Sequence, residues 1–168
     1  MRTVIVLGIA LAAAGCEEKK PERPIIPEGH LREKAKEDLR RIQEEHAGEP
    51  KHIQVQHVLI AFKGAKDAKP EVTRSQEEAR LLALDLVERL KGGQDMDWMV
   101  KQYSSDSGAG TYAMANEGEP FGKGETRRKS MVKAFGDVSF HLGVGEVGLT
   151  EYDSYASPYG YHVIKRLK

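Results

Sequence analysis

Two histidines stand in apolar stretches at opposite ends of the chain. His57 lies within Ile53-Gln54-Val55-Gln56-His57-Val58-Leu59-Ile60, and His162 within Gly160-Tyr161-His162-Val163-Ile164. Alternate side chains of an extended strand share a face, so His57 points with Ile53, Val55 and Leu59, and His162 with Ile164. A buried imidazole needs partners, because each polar atom left unsatisfied costs roughly 1–3 kcal/mol. Alone, His57 reads as a core residue with a satisfied ring; a second histidine in a matching strand opens the reading of a site. Asp106, in the turn Ser104-Ser105-Asp106-Ser107-Gly108, adds a carboxylate. Met131 and Phe135, four residues apart, add an apolar pair on one face of a helical turn. Two histidines with a distant aspartate lack the close spacing of a metal centre, and Cys16 is the sole cysteine. No metal and no cofactor is assigned.

The elements that must hold these groups follow from pattern. The β-branched run 53–60 reads as a strand buried on most of both faces. Ser75-x-x-Glu78 is a capping box, with Thr73 and Gln76 an overlapping second choice, opening a helix whose stripe is Ala79, Leu82, Ala83, Leu86 and Leu90, stopped by Gly92-Gly93. A shorter helix starts at Asp95 and buries Met96, Met99, Val100 and Tyr103. Thr111–Met114 is a weak strand. Asn116–Lys129, rich in glycine and charge, reads as a long exposed loop. Residues 130–135 form a helical turn or two, Leu149–Tyr155 a strand, and Gly160–Leu167 the closing strand.

Ahead of this lies a different composition. Arg2, the apolar run Val4–Ala14 and Leu11-Ala-Ala-Ala-Gly-Cys16 form a targeting segment over residues 1–16. It resembles the lipobox of bacterial lipoproteins, in which the cysteine becomes the lipidated first residue of the mature chain; an ordinary signal peptide or an N-terminal anchor is the alternative. Residues 17–50 combine a tether carrying Pro21, Pro24 and Pro27 with a helix over 29–46 whose thin stripe is Leu31, Ala35, Leu39 and Ile42. A solvated stalk leaning on the domain and a short coiled coil of two or three heptads both fit that stripe. Across the 168 residues, 26 basic and 26 acidic side chains cancel, so no net field attracts nucleic acid. The sparse aromatics do not interleave with basic residues either, and no nucleic-acid partner is expected.

In order, the landmarks are Gln-His-Val-Leu-Ile, a helix ending in Gly-Gly, Asp95-Met96 through Tyr103-Ser104, and Met131 with Phe135. Phe140-x-Leu-x-x-Gly145-Glu146-Val147 and Gly160-Tyr161-His162-Val163-Ile164 complete them. Together they resemble the parvulin family of peptidyl-prolyl cis/trans isomerases, over roughly residues 51–168. The resemblance implies an α+β fold, a four-stranded antiparallel sheet surrounded by about four short helices, with first and last strands paired in the middle. It implies that His57 and His162 meet beneath the site and that Asp106 takes the place of a family aspartate or cysteine. Met131 and Phe135 match the proline pocket, Ser157 is the nearest counterpart of a hydroxyl before the last histidine, and Tyr112 replaces a pocket leucine. Gly110-Thr111-Tyr112-Ala113-Met114 departs from the family's usual Gly-Asp-Leu-Gly, and extra residues occur near 116–129 and 151–156.

The implied activity needs no cofactor. Rotation about an X-Pro bond is slow because its partial double bond sets a barrier near 20 kcal/mol. Twisting lowers the amide's polarity, so a dry apolar pocket favours the twisted state over the planar one. The implied partners are proline-containing unfolded polypeptides and, through Cys16, a membrane on the extracytoplasmic side of a bacterial envelope. The rival reading is a chaperone-like binding module with little isomerase activity, which the departure after residue 110 favours. Lys63, Lys66, Lys69 and Arg74, diluted by Asp67 and Glu71, read as a mixed-charge solvated loop rather than a phosphate reader.

Overall fold

The computed structural model describes residues 28–168; the targeting segment with Cys16, and the tether up to residue 27, lie outside the described residues. The chain runs α1 (Glu28–Glu45), β1 (His52–Ile60), α2 (Gln76–Lys91), α3 (Met96–Tyr103), β2 (Thr111–Ala115) and β3 (Glu125–Arg127). A 3₁₀ turn (Arg128–Ser130), α4 (Lys133–His141), β4 (Val147–Thr150) and β5 (Tyr161–Arg166) complete it. Among the described residues, no helix is long and apolar enough to cross a membrane.

One five-stranded sheet in the order β3-β2-β1-β5-β4 organises the molecule, with β1 and β5 paired antiparallel at its centre. Strand parity sorts the core. Val58, Ile60, Tyr161 and Val163 face α2 and α3, meeting Ala79, Ala83, Leu86 and Met99. Ile53, Val55, Met114 and Ile164 face the other way, onto Phe135 and Phe140 of α4. Because helices cover both faces, β1 is apolar on both, which is why its run is nearly continuous. Burying a Leu86- or Phe140-sized side chain contributes roughly 1.5–3 kcal/mol. The capping box at Ser75 forms as read, with Ser75 Oγ accepting from Glu78 N while Glu78 returns to Ser75 N. Asp95 caps α3 by accepting from Trp98 N.

Four antiparallel strands are present as expected, and a fifth is added. The stretch 116–129 is not one exposed loop: Glu125–Arg127 pairs parallel to β2, and the 3₁₀ turn follows at once. Its pivot is Arg128, only 5% exposed. The guanidinium reaches Glu49 Oε2 at 2.5 Å, Asn116 Oδ1 at 3.0 Å and Asp137 Oδ1 at 2.8 Å, with His46 Nδ1 at 3.2 Å and the Phe140 ring beneath. Composition hid this, since arginine among glycines and charges ordinarily reads as solvated. Two other boundaries shift. Met131 is extended and precedes α4, which begins at Lys133, because Val132 takes an extended conformation at the helix start. β4 ends at Thr150, and 151–159 is a chain of turns rather than strand. In α1, Leu39 is exposed and Ile42 half-buried, while His46 and Glu49 just beyond its end tie the chain to the domain through Arg128.

Removing one partner of a buried ion cluster leaves charges stranded. Arg128→Met is therefore expected to destabilise the domain by about 3 kcal/mol in urea unfolding. A loss below about 1 kcal/mol, the scale of a surface ion pair, would show the cluster to be dispensable.

Candidate active site

The β1–β5 register sets Leu59 opposite His162 and His57 opposite Ile164, so the two imidazoles are diagonal neighbours on the α4 face. Their Nδ1 atoms are 3.1 Å apart and the rings stack at 5.3 Å between centroids. His57 is 3% exposed and His162 5%. Backbone on both sides must come unusually close to make this fit. Gly110, at φ +65°, lies against the His57 carbonyl, and Gly160, at φ +135°, against that of Ile60; a Cβ at either would clash with main chain.

The turn carrying Asp106 is strapped along the upper edge of β1. His57 N donates to Gly110 O, Ser105 N to Leu59 O, Leu59 N to Ser104 Oγ and Ala61 N to Ser105 Oγ. Buried Gln56, on the opposite face of β1 from His57, adds a clamp by donating to Asp97 of α3 and to Ala109 O. Asp106 Oδ2 thereby stands 3.3 Å from His57 Nε2, in ion-pair range though not aligned as a hydrogen bond. The His57 ring, with help from the Ser107 N–H and the Tyr112 hydroxyl, holds the Asp106 carboxyl down to about 2 despite partial burial. Burial, and then the proximity of His57, push the His162 imidazole down to about 3, so His162 is neutral. Across the Nδ1···Nδ1 contact one ring donates and the other accepts. His162 Nε2 remains buried with no partner among the described residues.

Above this pair opens a cleft of about 410 Å³. Phe135 meets His57 edge-on at 5.1 Å and His162 at 5.4 Å, and Tyr112 packs on His57 at 5.4 Å with its hydroxyl donating to Asp106 Oδ2 at 3.4 Å. Met131 lines the same wall as Phe135 although it lies outside the helix. His57, Asp106, Tyr112, Met131, Phe135 and His162 are thus brought together. Ser157 is not: it is fully buried below the cleft, its Oγ donating to Gly160 O and meeting Thr150 Oγ1, which in turn accepts from His162 N. Ser157 lies outside the cleft lining and faces the start of β5. The stretch after residue 110 is strand β2, with Tyr112 in the cleft wall. Lys66, Asp67, Lys69 and Tyr159 also line the mouth, Lys66 over the Tyr159 ring at 5.0 Å. Their loop was legible as solvated, but its packing against residues 158–159 depends on Lys66 N donating to Pro158 O, which no sequence pattern announces.

A mixed sheet with a histidine pair at its centre, a carboxylate at its edge and an apolar cleft above defines a parvulin-type isomerase domain. Residues 38–168 match the family described as PPIC-type PPIase domain, and the chain belongs to that family. It is 32% identical over 113 residues to Foldase protein PrsA 4 of Bacillus cereus, covering 67% of this chain and 30% of that protein. It is 30% identical over 115 residues to Chaperone SurA of Pseudomonas fluorescens, covering 68% of this chain and 22% of that protein. The chain therefore spans less than two thirds of these relatives. The fold is shared with the peptidyl-prolyl isomerase ESS1 from Candida albicans, at TM-score 0.55 and 19% identity over 81% of this chain and 76% of that one. It is shared likewise with TbPIN1, at TM-score 0.54 and 18% identity over 70% of this chain and 98% of that one.

Because folding lowers the affinity of His162 for a proton, the unfolded chain binds that proton first as pH falls, and stability is lost from about pH 6.5 down to about 3. Between pH 6.5 and 5, above the range where the carboxylates titrate, the parent should lose stability with a slope approaching 1.4 kcal/mol per pH unit. His162→Gln should lose much less. Equal slopes in denaturant melts of the two proteins would rule this assignment out.

Proposed function

We propose that this domain accelerates cis/trans isomerisation of X-Pro bonds in unfolded extracytoplasmic polypeptides and acts as a foldase held at a membrane by lipid on Cys16. The observation that carries the reading is the meeting of Asp106, His57 and His162 under a cleft walled by Phe135, Tyr112 and Met131. The pyrrolidine ring is taken to sit against Phe135 and Met131, a flat face and an adaptable one.

The planar amide places partial negative charge on its oxygen and partial positive charge on nitrogen; twisting undoes both. An ionised carboxylate nearer the amide oxygen than its nitrogen, in a poorly solvated cleft, opposes the planar, charge-separated form and so favours the twisted one. Asp106 suits that role because its low pKa keeps it charged throughout the working range. His57 and His162 hold the carboxylate and the floor in place, as positioning groups. Support for extracytoplasmic work comes from the targeting segment, and support for action on polypeptides from similarity to proteins named foldase and chaperone.

Two measurements test this. Asp106→Ala should lower kcat/KM on a short X-Pro peptide by about ten- to a hundred-fold, about 1.4–2.7 kcal/mol of barrier, with the unfolding midpoint nearly unchanged. A variant as fast as the parent would remove Asp106 from the mechanism. In a bacterial host, Cys16→Ser should move the protein from the membrane to the soluble fraction and abolish labelling by a fatty-acid probe. Retention of both in the variant would end the lipid-anchor reading.

A further inference from the structure

The cleft does not end at Met131. A second hollow, of about 260 Å³, takes Met131 as one wall and passes Lys129 and Arg128 to Glu117. A third, of about 480 Å³, shares Glu117, Arg128 and Lys129 with the second and lies between Ile42 of α1 and Pro120-Phe121. The three are neighbouring hollows, the first two sharing Met131 and the last two sharing Glu117, Arg128 and Lys129, a row that makes a trough beside the cleft. Its far end sets Ile42, Pro120 and Phe121 among charged residues. Phe121 is 47% exposed, its ring covered on one side by the Arg127 guanidinium at 4.2 Å. Leu39, one turn before Ile42 on the same face of α1, is 42% exposed. Both parts of this end lie outside the central sheet, one on the helix that precedes the domain and one on the 116–129 segment.

We propose that a polypeptide engaged by its proline in the cleft continues along this trough and seats one apolar side chain between Ile42 and Phe121. The inference rests on the isomerase reading and extends it to a second contact on the same substrate chain. Adjacency selects this occupant, since Met131 lines both the cleft and the second hollow. The charges along the way are of both signs, Glu117 and Glu119 against Arg127 and Lys129, which suits a polypeptide backbone of no fixed charge rather than a polyanion or an acidic lipid surface. An exposed aromatic beside a half-buried aliphatic residue offers a partner for one side chain, an area too small for a stable dimer.

The test uses the full chain and fluorescent peptides sharing one X-Pro core. One is short. The others carry a leucine at two to eight residues from the proline, on either side, each matched by a peptide with serine in its place. For at least one spacing the leucine peptide should bind about tenfold tighter than its serine match, the change expected from burying one apolar side chain. Phe121→Ser should erase that gain, and Ile42→Ser should reduce it. Turnover of the short peptide should be unchanged in Phe121→Ser, which also reports that the variant is folded. If the parent isomerises the short peptide but never distinguishes leucine from serine, or if Phe121→Ser keeps the gain, this inference fails alone. If the short peptide is not turned over at all, the isomerase reading fails and takes this inference with it. A concentration-dependent dimer in the parent that disappears in Phe121→Ser would assign the groove to a second copy and overturn the proposal.

Discussion

The site depends on one hydrogen bond between two nitrogens, and such a bond exists only when one of them carries the proton and the other does not. His57 and His162 satisfy that condition across a sequence separation of 105 residues. Burial, with the proximity of His57 adding to it, keeps His162 neutral. The bond therefore requires the first and last strands to be neighbours, in a register where residue 59 opposes residue 162. A slip of one residue would turn one imidazole into the α2–α3 core and leave the other alone. The chain cannot form its site until both ends have found each other, which places a long-range contact at the centre of the fold.

Around that bond the two faces of the sheet carry different burdens. The face under α2 and α3 is filled with aliphatic and aromatic side chains. The face under α4 is filled only in its lower half, by Ile53, Val55, Met114, Phe140 and Ile164; toward the upper half Phe135 is the last filler and the cleft begins. Along the edge of β1, ladder pairing with β2 stops at Gln56, and the Ser104–Gly110 turn takes over the remaining hydrogen bonds. That exchange of strand for turn lets a carboxylate stand beside His57, since a continued β2 would fill the position with alternating side chains. The clamp from Gln56 to Asp97 links this turn to α3, so the packed face holds the open one in register.

Much of this was legible. The strand of His57, the capping box of α2, the Asp95 cap and the parity that pairs His162 with Ile164 all follow from local pattern, and the central pairing followed from resemblance. What was hidden shares a cause: each hidden feature is a group placed by particular hydrogen bonds rather than by an apolar pattern. Arg128 needs Glu49, Asn116 and Asp137. Ser157 needs Thr150 and Gly160. Lys66 is placed by a backbone bond to Pro158. Periodicity reports apolar faces and is silent on such groups, so 116–129 read as loop although it carries a strand and a buried cation. Met131 was assigned to the correct wall for an incomplete reason, as it reaches the cleft from extended chain rather than from the helix turn that its spacing to Phe135 implies.

The two buried polar centres show opposite solutions to one problem. At Arg128 the guanidinium is matched by two carboxylates and an amide, and the segments it joins are held as a unit. At the histidine pair the matching is left incomplete. Among the described residues four buried side-chain polar atoms have no aligned hydrogen-bond partner, and two of them are the Nε2 atoms of His57 and His162. Each such atom costs roughly 1–3 kcal/mol, so a fold optimised for stability alone would place an apolar side chain there, as it does at Ile164 two residues on. Their position immediately beneath the cleft gives that cost a purpose. The stacked imidazoles form part of the cleft lining and hold a carboxylate at its edge.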